Sequence, residues 1–181
     1  MEIEIVVAKY NEDIGWLDQL DCLKTVYDKS DEPSNYIKLP NVGREAHTYA
    51  KHVASNYQCL SDFTIFTQGS PFTHSMKFFQ ELTKPTHKFR AIGCHQMVTY
   101  ENGDVAHGGL PIKATYEKLT GAIFPGDAIF HTGAIFVAHR SALQKYPCEW
   151  CDDLVAELAD KTTQGYLAWV MERLWPILLD H

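Results

Sequence analysis

Four short clusters in this sequence combine side chains that could do chemistry. Asn11-Glu12-Asp13 follows an apolar run, and its amide and carboxylates could accept hydrogen bonds from a nucleotide base or ribose. The same residues suit a helix start, where a side-chain oxygen caps free N–H groups and carboxylates favour the positive end of the helix dipole. Asn41-Val42-Gly43-Arg44-Glu45 puts a glycine and an arginine before a helical pattern. Glycine lets backbone N–H groups approach an anion, and Arg44 can grip a phosphate with two parallel hydrogen bonds. The plainer reading is a helix start with an exposed Arg–Glu pair, worth little. Gln68-Gly69-Ser70-Pro71 ends another apolar run, and Gly69 permits a close backbone approach. Glu172-Arg173 interrupts the apolar stretch 166–175, where Ala168, Trp169 and Trp175 lie at helical spacing from Glu172. Partial desolvation raises a carboxyl's pKa and suits it to general-base work, whereas a buried Glu–Arg pair would simply fix the helix.

Other groupings carry less. The nine histidines include no His-Glu-x-x-His, and His47 and His52 are five apart, off a common helix face. Asp127 and His131 could meet across a turn and are the candidate metal ligands. Cys148-Glu149-Trp150-Cys151 is a lone C-x-x-C, where a structural zinc would need four ligands. Asn41 to Glu45 is not a phosphate-binding loop of the Gly-Lys-Ser/Thr kind.

The elements that must position these clusters follow from patterning. Ile3 to Ala8, Leu23 to Tyr27 and Asp62 to Thr67 read as strands, rich in β-branched and aromatic residues. Asn11 is expected to cap a helix over Ile14, Leu17 and Leu20. Ala46, Tyr49, Ala50, Val53 and Tyr57 follow helical spacing and predict a helix over 44–57. Ser70 and Pro71 fit the start of a helix running to Leu82. The second half predicts a strand over 91–99, a turn at Glu101 to Asp104, a turn at Pro125 to Asp127, a strand over 133–138 and a short helix over 140–145. Two helices follow, over 152–159 and 162–174, the last stopped by Pro176. Strands alternating with helices imply a mainly parallel sheet with helices on both faces, and such sheets bind ligands at the carboxyl ends of their strands. Asn11, Asp28-Lys29 and Gln68-Gly69 all fall at such ends.

Composition sets the outer limits. The chain has 181 residues, 45% of them hydrophobic and 22% charged, which suits one folded domain over 1–181. The net charge of −7 argues against nucleic acid or anionic lipid as a general partner. No run approaches the length of a membrane-spanning helix, and the acidic start lacks the basic region of a secretory signal. Five irregularly spaced cysteines make a poor disulfide framework, so a reducing, cytoplasmic compartment is expected.

Several segments together resemble a known family. VVAKYNEDIGWL, LPNVGREAHTYAKHV, DFTIFTQGSPFTH and GYLAWVMERLW are similar, in this order, to an uncharacterised domain-of-unknown-function family whose members look like small glycosyltransferases of the GT-A type. The resemblance implies a single-domain α/β, Rossmann-like three-layer sandwich with a mixed, mainly parallel sheet. It implies a nucleoside-diphosphate sugar as donor and a hydroxyl acceptor as partner. Tyr10, Asn11, Glu12 and Asp28 would lie near the nucleoside, Arg44 and Gly43 near the diphosphate, and Glu172 where a carboxylate base often stands. Gln68-Gly69 occupies the place where such enzymes carry Asp-x-Asp for Mn²⁺ or Mg²⁺. Glutamine is a poor ligand for these ions. Three alternatives stay open: a metal held elsewhere, by Asp127 and His131; Arg44 and Lys29 in the metal's place; or a chain that is not a transferase. A non-catalytic nucleotide-sugar or carbohydrate-binding module and a metal-dependent hydrolase are the competing functions.

Overall fold

The computed structural model describes residues 1–163 and 165–180. β1 (Ile3–Lys9), β2 (Leu23–Asp28), β3 (Ile37–Lys38) and β4 (Phe63–Gln68) are parallel neighbours, with β1 between β2 and β4. The helix α1 (Arg44–Asn56) connects β3 to β4. After β4 come the short helix α2 (Phe78–Leu82), β5 (Phe89–Ala91), β6 (Gln96–Thr99), α3 (Ile112–Thr120), β7 (Ala128–His131) and β8 (Phe136–His139). The chain closes with α4 (Arg140–Leu143), α5 (Cys148–Ala159) and α6 (Leu167–Leu179). The six-stranded sheet runs β3-β2-β1-β4-β8-β5, and β8 is antiparallel to both neighbours. β6 and β7 form a separate antiparallel ribbon.

Side chains alternate along each strand, so one sheet feeds two cores. Val6, Phe66 and Phe136 face α1, α5 and α6, whose Tyr49, Leu154, Leu158, Met171 and Leu174 are buried against them. Ile5, Val7, Ile65 and Val137 face the other way, onto Trp16, Leu17, Phe78 and Ile92. The result is a mixed α/β arrangement with a mainly parallel sheet flanked by helices, as the alternation of elements implied.

The local departures have physical causes. Asn11 caps no helix: the segment after β1 holds only a 3-10 turn, Gly15–Gln19, preceded by Ile14. Its carboxylates bond backbone close by, Glu12 to the Tyr10 N–H at 2.6 Å and Asp13 to the Gly15 N–H at 2.9 Å. These local turns compete with a helix. Ser70-Pro71 opens a 3-10 turn over Pro71–Thr73, and the helix follows only at Phe78. The expected strand over 91–99 is two strands in two sheets. Between them a Cβ on Gly93 would stand 2.4 Å from the Thr132 carbonyl, so the chain passes tightly across another segment there. The strand expected from Gly133 begins at Phe136, because Gly133 and Ala134 turn with φ of 95° and 51°. The Asn102-Gly103 turn is present, with Tyr100 and Gly103 exchanging backbone hydrogen bonds and Gly103 at φ 104°.

Pro176 does not stop the last helix. It lies inside α6, whose residues from Val170 to Leu174 are buried on all sides by the larger core. Packing outweighs the single backbone hydrogen bond that proline removes. The helix starts at Leu167 rather than Thr162, and Gln164 of the expected span lies outside the described residues.

Candidate functional site

A cleft of about 290 Å³ opens at the carboxyl ends of β1 and β4, lined by Lys9, Tyr10, Glu12, Lys29, Asn41, Arg44, Glu45 and Gln68, with Ala8 at its base. Its position follows from topology. From β1 the chain crosses to β2 on one side, and β4 lies on the other, so the two connections part and leave a crevice.

Arg44 dominates the cleft. It is the first residue of α1, and both it and Gly43 have left-handed backbone, with φ of 49° and 57°. Such a conformation in a non-glycine residue costs roughly 1–3 kcal/mol and persists only where its surroundings impose it. Lys29 imposes it. Its ammonium, buried at the end of β2, donates to the Val42 carbonyl at 2.6 Å and also to the Arg44 carbonyl. Gly43 is required by packing: a Cβ there would lie 2.7 Å from the Leu158 carbonyl of α5. The Arg44 side chain is 52% exposed and lies with its guanidinium carbon 4.4 Å from the centre of the Trp169 ring. His107 also stacks on Trp169, with ring centres 4.6 Å apart.

Electrostatics in the cleft follow from burial. Desolvation pulls the Lys29 ammonium down to about 8, with the neighbouring Arg44 charge adding to the fall and Glu45 opposing it. Burial pushes the Glu45 carboxyl up. Its own backbone N–H, Arg44 and Lys29 offset part of that rise, and the Glu172 carboxylate adds to it. Glu45 therefore differs from the exposed partner expected for Arg44: its side chain is only 10% exposed, 3.6 Å from Arg44 Nε.

Gln68 and Gly69 support the cleft in different ways. Gln68 Nε2 donates to the Gly133 carbonyl at 2.7 Å. Gly69 leaves room for Glu12, whose Oε2 would be 2.7 Å from a Cβ at that position. Asn11 is exposed and outside the lining. Asp28 is buried and also outside the lining, accepting from the Ser30 N–H and hydroxyl at 2.9 and 2.7 Å and from Lys38 at 3.1 Å. Burial alone would raise the Asp28 carboxyl, but hydrogen bonds from Ser34, Ser30 and Lys38 outweigh it and hold it well below the usual range. Asp28 thus fastens the loop between β2 and β3.

Glu172 and Arg173 form a buried network next to the cleft. Glu172 Oε1 accepts from the Gly133 N–H and Oε2 from Arg173, each at 2.5 Å. Arg173 also donates to Asp104 at 2.9 Å, to the Trp169 carbonyl at 2.9 Å, and approaches His107 Nδ1 at 3.0 Å. Both oxygens of Glu172 are engaged, and it does not line the cleft.

The remaining candidates stand apart. Asp127 borders a hollow formed with Tyr100, Asn102 and Val105, while His131 borders another with Ser75, Glu81 and Cys94. Four extended residues separate them by about 13 Å, so they do not meet across a turn. Among the described residues, no three His, Cys, Asp or Glu side chains converge as a metal site would require. At the end of β4, where a divalent ion would need carboxylate oxygens, the polar side chain is an amide already bonded to Gly133, so these residues do not fit Mn²⁺ or Mg²⁺. All five cysteines are free, and burial pushes the Cys151 thiol up to about 12, which leaves the C-x-x-C chemically quiet.

Comparison with known proteins adds one observation. Residues 5–91 match the family described as "Protein of unknown function (DUF3431)". The matched span runs from within β1 to the end of β5 and includes every lining residue of the cleft. The terminal GYLAWVMERLW segment lies beyond it. No curated protein matches the chain, and no solved structure does. No helix among the described residues is long and apolar enough to cross a membrane.

Sequence reasoning missed Lys9, Glu45 and Trp169 as parts of the site. Glu45 reads in the sequence as half of an exposed ion pair, and no local pattern shows that its side chain is only 10% exposed. Trp169 could have been singled out only as an aromatic beside Glu172.

Proposed function

We propose that the cleft binds a nucleoside-diphosphate sugar and that the protein transfers the sugar to a hydroxyl acceptor, on a fold of the GT-A type. The observation that supports this best is the presentation of Arg44. A half-exposed guanidinium, strained at its backbone, faces a crevice at the strand ends, and among the described residues its terminal nitrogens make no hydrogen bonds. Lys29 spends two of its three N–H groups on carbonyls and keeps one for a ligand. With Lys9, three cations line the crevice, which suits a diphosphate, and they would stabilise it as a leaving group. Tyr10 and Glu12 line the same end and, with the exposed Asn11 between them, would meet the nucleoside, Asp28 holding the loop behind. No step is assigned to a divalent metal.

A non-catalytic nucleotide-sugar-binding module is the second reading, favoured by Gln68, whose amide is tied to Gly133 where metal-dependent transferases need carboxylates. The test is a thermal-shift panel of nucleoside diphosphates and their sugars, with and without EDTA, followed by assays for released diphosphate. A ligand at 100 times its Kd stabilises by about 2.7 kcal/mol, or roughly 5–10 °C in a chain of this size. A shift with one nucleotide that EDTA does not abolish, together with diphosphate release, is the expected result. Binding without release in any acceptor mixture would select the module. No shift with any nucleotide would end the transferase reading.

A further inference from the structure

Three glutamates stand in or beside the cleft, and their bonding separates them. Glu12 lines it but accepts the Tyr10 N–H at 2.6 Å. Glu172 has both oxygens engaged, by Gly133 and Arg173. Glu45 lines the cleft, is largely buried, and among the described residues accepts no hydrogen bond from another residue; its nearest cation, Arg44 Nε, is 3.6 Å away. One helical turn further along α1, the Tyr49 hydroxyl is fully buried and unpartnered. The groups facing Glu45 are Arg44 and Tyr49 from α1, Lys29 from the end of β2 and Glu172 from α6.

We propose that Glu45 is the residue that takes the proton of the attacking hydroxyl in this cleft, and that Glu172 is a positioning residue acting through it. Glu45 has free lone pairs at the cleft wall. Glu172, fixed by Gly133 and Arg173, holds a negative charge behind it and makes Glu45 a stronger base. In the transfer step the acceptor oxygen forms its bond to the anomeric carbon while its proton passes to the Glu45 carboxylate. The bond from that carbon to the phosphate oxygen breaks, and its electron pair leaves on the diphosphate beside Arg44 and Lys29. This step, and the role of Glu45 in it, rest on the glycosyl-transfer reading; the unbonded carboxylate at the cleft wall does not.

The experiment is pH-resolved infrared spectroscopy of the full chain, comparing wild type with Glu45→Gln, Glu45→Asp and Glu172→Gln. A carboxyl band that titrates above the ordinary carboxylate range is expected in wild type, absent in Glu45→Gln, and titrating at lower pH in Glu172→Gln. A wild type without that band, or a Glu45→Gln protein that keeps it, overturns the proposal. Should Glu45→Gln fail to fold, the wild-type titration and Glu45→Asp decide. With UDP-glucose and GDP-mannose as probes, Glu45→Gln should lower diphosphate release at least 100-fold with donor Kd little changed, and Glu172→Gln should shift the acid limb of the pH–rate profile. Unchanged release in Glu45→Gln overturns the proposal. If neither probe binds, the transfer reading fails and the proposal with it, whereas donor binding with unchanged release in Glu45→Gln overturns the Glu45 assignment alone.

Discussion

The Arg44 guanidinium rests on the face of Trp169, 4.4 Å from the ring centre. The cation at the head of α1 is thereby seated on α6, and the ring fixes its direction without consuming its hydrogen bonds. A cation over an exposed or half-exposed aromatic gains about 0.5–1 kcal/mol. Trp169→Ala is expected to lower the melting temperature only slightly and to weaken nucleoside-diphosphate binding by several-fold. Arg44→Lys should weaken it by tenfold or more, because an ammonium offers neither the fork nor the flat face. Calorimetric titration of UDP and GDP into each variant checks both.

Gly43 is the backbone hinge of this arrangement. Gly43→Ala would combine a left-handed φ of 57° with a Cβ 2.7 Å from the Leu158 carbonyl. The backbone alone costs roughly 1–3 kcal/mol, which corresponds to about 2–12 °C. Thermal unfolding of the variant is expected to show at least that loss, with nucleotide binding reduced in whatever folds.

Lys29 ties affinity to pH. Its folded value of about 8 lies below the ordinary 10.5. The cost of burying its charge is fully present below pH 8 and is relieved as the pH rises toward 10.5, so in that window wild type should gain stability relative to Lys29→Met. Over the same window the cleft loses a cation, and diphosphate affinity should fall with a midpoint near pH 8. Lys29→Met should bind weakly at every pH and lack that midpoint. Denaturant unfolding and titration calorimetry across the window measure the two effects.

Asp28 works in the opposite direction. Its carboxyl is held below the ordinary 3.8 in the folded chain. Its contribution is complete above that value and is lost as pH falls below it, through the folded pKa. Asp28→Asn should cost about 1–3 kcal/mol at neutral pH, the usual price of leaving buried partners unsatisfied. The two proteins should converge in acid, and unfolding curves at descending pH test this.

The buried ion network should be the least forgiving. Arg173→Met leaves Asp104 and Glu172 charged and buried, and breaking such a pair costs about 3–5 kcal/mol. The double variant Arg173→Met/Asp104→Leu should recover part of that loss, as a double-mutant cycle by denaturant unfolding will register.

Most of the frame was legible before the structure. The strands at Ile3, Leu23 and Asp62 and the helix from Arg44 lie within a residue or two of their expected ends, because each has an unbroken apolar pattern of one period. The placing of Lys29, Tyr10, Glu12 and Gln68 at one crevice is what the strand ends imply, whereas Arg44 reaches it from the head of α1, where only the family resemblance put it. Asn11 misled because its acidic neighbours satisfy a tight turn as well as a helix start. Pro176 misled because a helix buried on every side tolerates a missing bond. The seat of Arg44 on Trp169 and the bridge from Gln68 through Gly133 to Glu172 join residues far apart in sequence, and no local pattern encodes such pairs.

The place of β8 in the sheet bears on how the chain reaches this fold. β8 enters between β4 and β5, so β5 has no neighbour in the sheet until residues 136–139 arrive. Pairing over such a separation must overcome loop-closure entropy first, which slows folding. Until then one edge of β4, carrying Ile65 and Phe66, stands open to other chains. Refolding yield is therefore expected to fall steeply with protein concentration, and a fragment ending at Ala91 should aggregate rather than fold.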